Sequence, residues 1–204
     1  MEKKFIASRG KTYKHRGYPH RGWHHPRQAA LSKRLTKHIK NGLIVEIGVF
    51  GGVSLLNIAE QCMTNGTRMV GIDPWELTVP NDGHGKKLSN YRFMKGNLVD
   101  ARNNLIKICK ELKYDHISLI KDFSHLAVGT FEDATIDLLY IDGEHTYNAV
   151  KMDLELWFSK MKQNSVIWGD DWHKDGVRKA VDEFCKGNGL KYETEANSFI
   201  IKLT

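Results

Sequence analysis

A chain of 204 residues with 41% hydrophobic and 27% charged side chains is sized and composed for one globular domain with a single substantial core. No apolar run approaches the roughly 20 residues that span a bilayer, and the charged start Met-Glu-Lys-Lys lacks the apolar stretch of a secretory signal, so a cytoplasmic chain without a membrane span is expected. The formal net charge of +7 is uneven: residues 1–40 hold twelve Lys or Arg and one acid, Glu2, which places +11 on this segment and −4 on the rest.

The basic arm is delimited as residues 1–27. Its stretch RGKTYKHRGYPHRGWHHPRQ (9–28) mixes Gly, Pro, His and Arg with Tyr13, Tyr18 and Trp23, follows neither a 2.0 nor a 3.6 period, and is expected to be extended or irregular. Ala29, Leu31, Leu35 and Ile39 predict an amphipathic helix from Gln28 to Lys40, closed by Asn41-Gly42. Strand and helix then alternate. Strands are expected at 43–49, 68–73, 116–121, 136–142 and 165–170, followed by two short ones at 190–194 and 198–203. Helices are expected at 53–62, near 97–111, at 147–161 with Val150, Leu154, Trp157 and Met161 on one face, and at 175–186 behind a capping Asp175. This alternation predicts an α/β, Rossmann-like domain over 28–204: a mostly parallel seven-stranded sheet with helices on both faces. Ligands of such sheets bind beyond the carboxyl ends of the strands. Cys62, Cys109 and Cys185, odd in number and widely spaced, suit reduced thiols.

The first strand ends in VEIGVFGGVS (45–54), a glycine turn into a helix that lets a ligand approach the backbone closely. A dinucleotide fingerprint starting at Gly48 would need glycine where Phe50 and Val53 stand, which argues against NAD. What remains is an acid, Glu46, followed by Gly48, Gly52 and Ser54; an acid in this place disfavours pyrophosphate and suits a cation such as the amino or sulfonium group of S-adenosylmethionine. With this motif the chain resembles the class I S-adenosylmethionine-dependent methyltransferases. The acid-x-Gly-x-aromatic-x-Gly-x-Ser form is similar to the catechol-type and sugar O-methyltransferase branch, although the commoner pattern has glycine at the position of Phe50. The second strand ends in Asp73, 27 residues after Glu46, placed either to start an Asp-Pro turn or to accept both ribose hydroxyls, the role the resemblance implies. The same resemblance puts Asp122 or Ser124, at the third strand's tip, near adenine.

The fourth and fifth strands end in IDG (141–143) and WGDDW (168–172) and are neighbours in this fold. Asp142, Asp170 and Asp171 are therefore expected to converge. Three carboxylates repel unless a cation neutralises them, and oxygen-only ligands select a hard ion, Mg²⁺ or its substitutes Mn²⁺ and Ca²⁺. The run DLLYIDGEHTYNAVKMDLELWFSKMKQNSVIWGDDW resembles the metal-dependent O-methyltransferases of macrocin type and their cephalosporin-pathway relatives. That resemblance spans residues 43 to about 186 and implies a metal on Asp142, Asp170 and Asp171. Catechol-type relatives carry asparagine at the position of Asp171. His145 stands where those relatives carry a lysine base; it either takes the proton from the acceptor hydroxyl, as Asp142 also could, or caps the next helix and supports the metal's surroundings.

The expected acceptor is a sugar or glycan hydroxyl, with a catechol-like small molecule as the alternative. The arm also looks like a nucleic-acid footprint, so an RNA methyltransferase competes, as does a binding protein that retains the fold without turnover. The preferred role for residues 10–27 is to fold over the active-site mouth, their own or a neighbour's in a homo-oligomer, with Tyr18 or Trp23 stacking on a sugar ring. Segment 74–96 is a second candidate lid.

Overall fold

Every residue of Leu43–Ile47 is buried, and all but Asp137 in Ile136–Ile141, as strands covered on both faces require. In the computed structural model, which describes residues 11–22, 25–76 and 88–204, these two strands are neighbours inside a seven-stranded sheet. The elements run β1 (Lys11–His15), β2 (Tyr18–Gly22), α1 (Pro26–Thr36), β3 (Leu43–Ile47), α2 (Val53–Thr64), β4 (Arg68–Ile72), α3 (Leu88–Glu111) and β5 (Ile117–Ile120). After them come α4 (Ser124–Ala127), β6 (Ile136–Ile141), α5 (Tyr147–Trp157), β7 (Met161–Gly169), α6 (Asp175–Asn188), β8 (Tyr192–Glu195) and β9 (Ser198–Leu203). The sheet order is β5-β4-β3-β6-β7-β9-β8, parallel except where β9 pairs antiparallel with β7 and β8. This is the expected α/β, Rossmann-like sheet of seven strands.

Alternate side chains enter two cores. Val45 and Ile47 meet Val150, Leu154 and Trp157 of α5 and Val177 and Val181 of α6; Ile44 faces Leu31 of α1, Leu55 and Leu56 of α2, and Leu105 and Ile108 of α3. From β3 the chain builds outward to β4 and β5, then returns to lay β6 on the other side of β3. The crevice at the β3 and β6 tips is the switch point where such sheets bind ligands.

Several boundaries differ from expectation. Helix α1 starts at Pro26, with proline in its first turn and a capping box between His25 and Gln28, and ends at Thr36 rather than Lys40. Helix α3 begins at Leu88, so residues 88–96 of the second candidate lid are helical; residues 77–87 and Trp23 lie outside the described residues. Helix α5 stops at Trp157, a 3₁₀ turn follows over Phe158–Lys160, and Met161 opens β7. Asp175 is the first residue of α6 and makes no capping bond; Lys174 holds the cap position. The arm's extended stretch is a hairpin, β1 on β2, closed by Arg16 (φ 47°) and Gly17 (φ 90°).

Asp153 of α5 is buried among apolar side chains and accepts the hydroxyl of Ser124. Burial pushes its carboxyl up to about 6, against the Ser124 hydrogen bond. Because the folded-state value lies above the unfolded one, the native chain holds this proton more tightly, and stability falls as pH rises from about 4 to about 6. Asp153→Asn is expected to raise stability at pH 8 by about 1–3 kcal/mol and to change it little at pH 4. Urea unfolding at the two pH values checks this; an equal effect at both would contradict it.

Candidate active site

Past Ile47 the chain turns through Gly48 (φ 88°), Phe50 (φ 47°) and Gly52 (φ 74°) into α2. A Cβ on Gly48 would lie 2.1 Å from the carbonyl oxygen of Asp142, so the β3 and β6 tips touch at a place that only glycine fits. Hydrogen bonds of 2.8 Å from Gly48 N to Ile72 O and from Asp142 N to Ile47 O tie the three strand tips together.

Glu46 shares the face of Ile44 and is 3% exposed. Ser54 Oγ donates to its Oε1 at 2.5 Å. Burial, reinforced by the neighbouring Asp142 and Asp73 and opposed by the Ser54 bond, pushes its carboxyl up to about 8. Such a group stays protonated until a cation arrives to hold its charge. At the β4 tip, Asp73 accepts the backbone N–H of Phe50 (2.8 Å) and of Trp75 (2.6 Å), one at each oxygen, while burial pushes its pKa up. The Trp75 indole donates to Phe50 O at 2.7 Å, which closes this turn against the glycine loop. At the β5 tip, Asp122 accepts the Phe123 N–H at 2.8 Å. The Ser124 hydroxyl is directed to Asp153 of α5, on the sheet face opposite Glu46.

Ile141 and Gly169 pair across β6 and β7, and Asp170 N donates to Ile141 O at 3.0 Å, so Asp142 and Asp170 leave adjacent strands at the same level. Two residues back, the Tyr140 and Trp168 rings stack with centroids 3.8 Å apart, and the Tyr140 hydroxyl donates to Asp142 Oδ2 at 3.1 Å. Burial pushes the Asp142 carboxyl up. It pushes Asp170 to about 7, with Asp142 and Asp171 adding like charge. Asp171 (φ 56°) behaves differently: partial burial would raise it, but Lys174, His145 and His173 outweigh that and hold it low. The Lys174 ammonium sits on Asp171 Oδ2, and Oδ1 faces Asn197 Nδ2 (3.5 Å) and His173 Nδ1 (3.6 Å).

His145 spans the cluster, with Nε2 3.3 Å from Asp142 Oδ1 and Nδ1 3.5 Å from Asp171 Oδ2. Nε2 is buried, and its contact with Asp142 is long for a hydrogen bond. Thr146, not His145, caps α5, accepting the Ala149 N–H at 3.4 Å. That leaves the base and the support role for His145.

Among the described residues no group of three or more His, Cys, Asp or Glu side chains is gathered as a metal site. Asp142, Asp170 and Asp171 follow neighbouring strand ends, with His145 between Asp142 and Asp171, and Asp171 already carries the Lys174 ammonium. The donor set still fits a hard dication, since it offers carboxylate oxygens and the cluster already draws in the one kind of group that neutralises them, a cation.

Sequence reasoning missed three residues. Gln28 donates to Asp170 Oδ1 from the first turn of α1, Lys174 neutralises Asp171, and Asn197 in the β8–β9 turn holds the 171–173 loop by accepting the His173 N–H at 3.0 Å. Only Lys174, three residues from Asp171, left a local trace. From the arm, Arg16 pairs with Glu60 at 3.0 Å, His15 meets Tyr114 OH at 2.7 Å and Tyr18 bonds Glu111. These partners lie toward the C-terminal ends of α2 and α3, away from the strand tips, so what the N-terminal segment brings to the site among described residues is the start of α1.

Residues 45–172 match the family model of a methyltransferase domain, Methyltransf_24. An uncharacterized protein of Sinorhizobium fredii, y4gI, is 26% identical over 151 residues; the match takes in 73% of this chain, which spans 15% of that protein's length. Among solved structures the chain is similar to the O-methyltransferase NovP (TM-score 0.68, 16% identity, 87% of this chain and 79% of that one). It is also similar to the TDP-rhamnose 3'-O-methyltransferase CalS11 of calicheamicin biosynthesis (TM-score 0.56, 17% identity, 85% and 76%). At these identities the two structures show a shared fold. No helix among the described residues is long and apolar enough to cross a membrane.

Proposed function

The chain belongs to the methyltransferase-domain family, and from that premise we propose that it moves the methyl of S-adenosylmethionine to a sugar or glycan hydroxyl with the help of a divalent cation. One observation carries this reading: the glycine turn beside Glu46 and the Asp142 backbone are in contact, so a donor held at the turn lies against the acid cluster. Glu46 then meets the donor's cationic end and gives up its proton on binding. Asp73, fixed at the β4 tip by backbone N–H groups of the glycine turn and of Trp75, is the candidate acceptor for the ribose hydroxyls. Asp122 is the candidate toward adenine; Ser124, whose hydroxyl is held by Asp153, is the weaker one.

Asp142, Asp170 and Asp171 would hold the cation, with Asp171 exchanging Lys174 for it. When bound, the dication supplies positive charge that lowers the acceptor hydroxyl's pKa by several units. The residues do the rest. His145, within 3.5 Å of two of these carboxylates, is placed to take the hydroxyl proton as the acceptor oxygen attacks the methyl carbon. The carbon–sulfur bond breaks in line, its electron pair stays on sulfur, and the positive charge of the sulfonium is lost. The Tyr140 hydroxyl keeps Asp142 oriented throughout.

The test is transfer of labelled methyl from S-adenosylmethionine to a panel of free sugars, nucleotide sugars, catechols and RNA, with Mg²⁺ and with EDTA. Transfer to a sugar that EDTA abolishes and Mg²⁺ restores is expected. Transfer that survives EDTA unchanged, or that goes to RNA alone, contradicts the proposal.

A further inference from the structure

We infer that Gln28 is a positioning residue for Asp170, and that through it the first turn of α1 is coupled to whatever Asp170 holds. The Gln28 side chain is buried, and both ends of its amide are committed. Oε1 accepts the His25 N–H at 3.0 Å, which completes the capping box, and Nε2 donates to Asp170 Oδ1 across 142 residues of chain. A capping box needs only an acceptor at this position, which glutamate provides as well as glutamine. The amide donor is what glutamine adds. It meets a buried carboxylate whose other hydrogen bond comes from the Asp171 backbone, with two like charges nearby. Without that donor Asp170 keeps an unmatched oxygen and is free to turn.

The rest of α1 is anchored elsewhere. Asn57 bonds Ala29 O (3.0 Å) and Ser32 Oγ (2.9 Å), Gln61 bonds Thr36 Oγ1 (2.7 Å), and Arg34 pairs with Glu195. Loss of the Gln28–Asp170 bond should therefore loosen the first turn and leave the helix body in place. The inference rests on the proposed function only where it names a cation as the ligand of Asp170.

Two measurements on the 204-residue chain separate the two claims. Hydrogen exchange without added metal compares peptides covering 25–31 and 32–40 in the wild type, Asp170→Ala and Gln28→Glu. Both variants are expected to speed exchange at 25–31 at least tenfold and to leave 32–40 unchanged; Gln28→Glu keeps the capping acceptor but sets a carboxylate against Asp170 in place of a donor, and without metal should melt several degrees below the wild type. Mn²⁺ binding is then followed by electron paramagnetic resonance. Gln28→Glu places a further carboxylate beside Asp170 and should tighten Mn²⁺ binding at least tenfold. Unchanged exchange at 25–31 in both variants, or a Mn²⁺ affinity in Gln28→Glu within twofold of a binding wild type, overturns the inference. If exchange responds while neither protein retains Mn²⁺, the coupling stands and the divalent-cation part of the proposed function falls.

Discussion

Gly48→Ala should destabilise the chain by about 3–5 kcal/mol and remove S-adenosylmethionine binding from whatever remains folded. Two costs combine. The backbone at Gly48 has φ 88°, where a side chain is strained, and the added Cβ would lie 2.1 Å from Asp142 O and 2.4 Å from its carbonyl carbon. Neither atom can step aside, because the Asp142 N–H is bonded to Ile47 O and Gly48 N to Ile72 O. The tips of β3 and β6 would have to part, which opens the donor turn and the acid cluster together. Against a typical total stability of about 5–15 kcal/mol, such a loss leaves a marginal fold. Gly187→Ala is the control: nothing lies within 4 Å of its added Cβ, it sits in α6, and it should stabilise by up to about 0.5–1 kcal/mol. Denaturant melts of the two variants give opposite signs if the contact at Gly48 is as described; similar melts would contradict it.

Asp142→Asn is expected to cut methyl transfer by about 10³-fold, or about 4 kcal/mol of barrier, while the donor's dissociation constant stays within threefold. Asparagine keeps the shape and can still accept the Tyr140 hydroxyl, and the backbone bond to Ile47 is untouched. What it removes is the charge that would balance the proposed cation and the partner that faces His145 Nε2. Calorimetry for donor binding, set beside single-turnover rates, separates these effects. A rate within tenfold of the wild type would leave Asp142 with an architectural role alone.

The central sheet was legible because its signals are local. Leu43–Ile47 and Ile136–Ile141 are apolar runs ended by glycine turns, and the acids at their tips follow directly. The boundaries that went astray show where local pattern misleads. Met161 fits the helical spacing of Val150, Leu154 and Trp157, yet it reaches the same core from the first position of β7, paired with Ile136. Pattern alone cannot tell a helix face from a strand that resumes under it. The hairpin of the arm was hidden because its turn places Arg16, rather than Asn or Asp, at positive φ before Gly17.

The positions of Glu46, Asp73, Asp142 and Asp170 at the carboxyl ends of the strands could be read from sequence because each lies in or just past the end of an apolar run. That Asp171 turns to Lys174 could not, since the outcome depends on where the β8–β9 turn places Asn197 and on the φ of 56° at Asp171 itself. Gln28 had no signal at all. Its partner is 142 residues away, and proline in the first helical turn marked the start of α1 without saying what the start touches.

Diffraction from crystals grown with S-adenosylhomocysteine and millimolar Mn²⁺, with data collected for the manganese anomalous signal, tests the acid cluster most directly. A peak ligated by Asp142, Asp170 and Asp171, with Lys174 released from Asp171 and the donor's sulfur facing the ion across the Gly48 turn, is the expected result. No peak at these tips, with Lys174 still seated on Asp171 while the nucleoside is bound, would contradict a cation-assisted transfer in this chain.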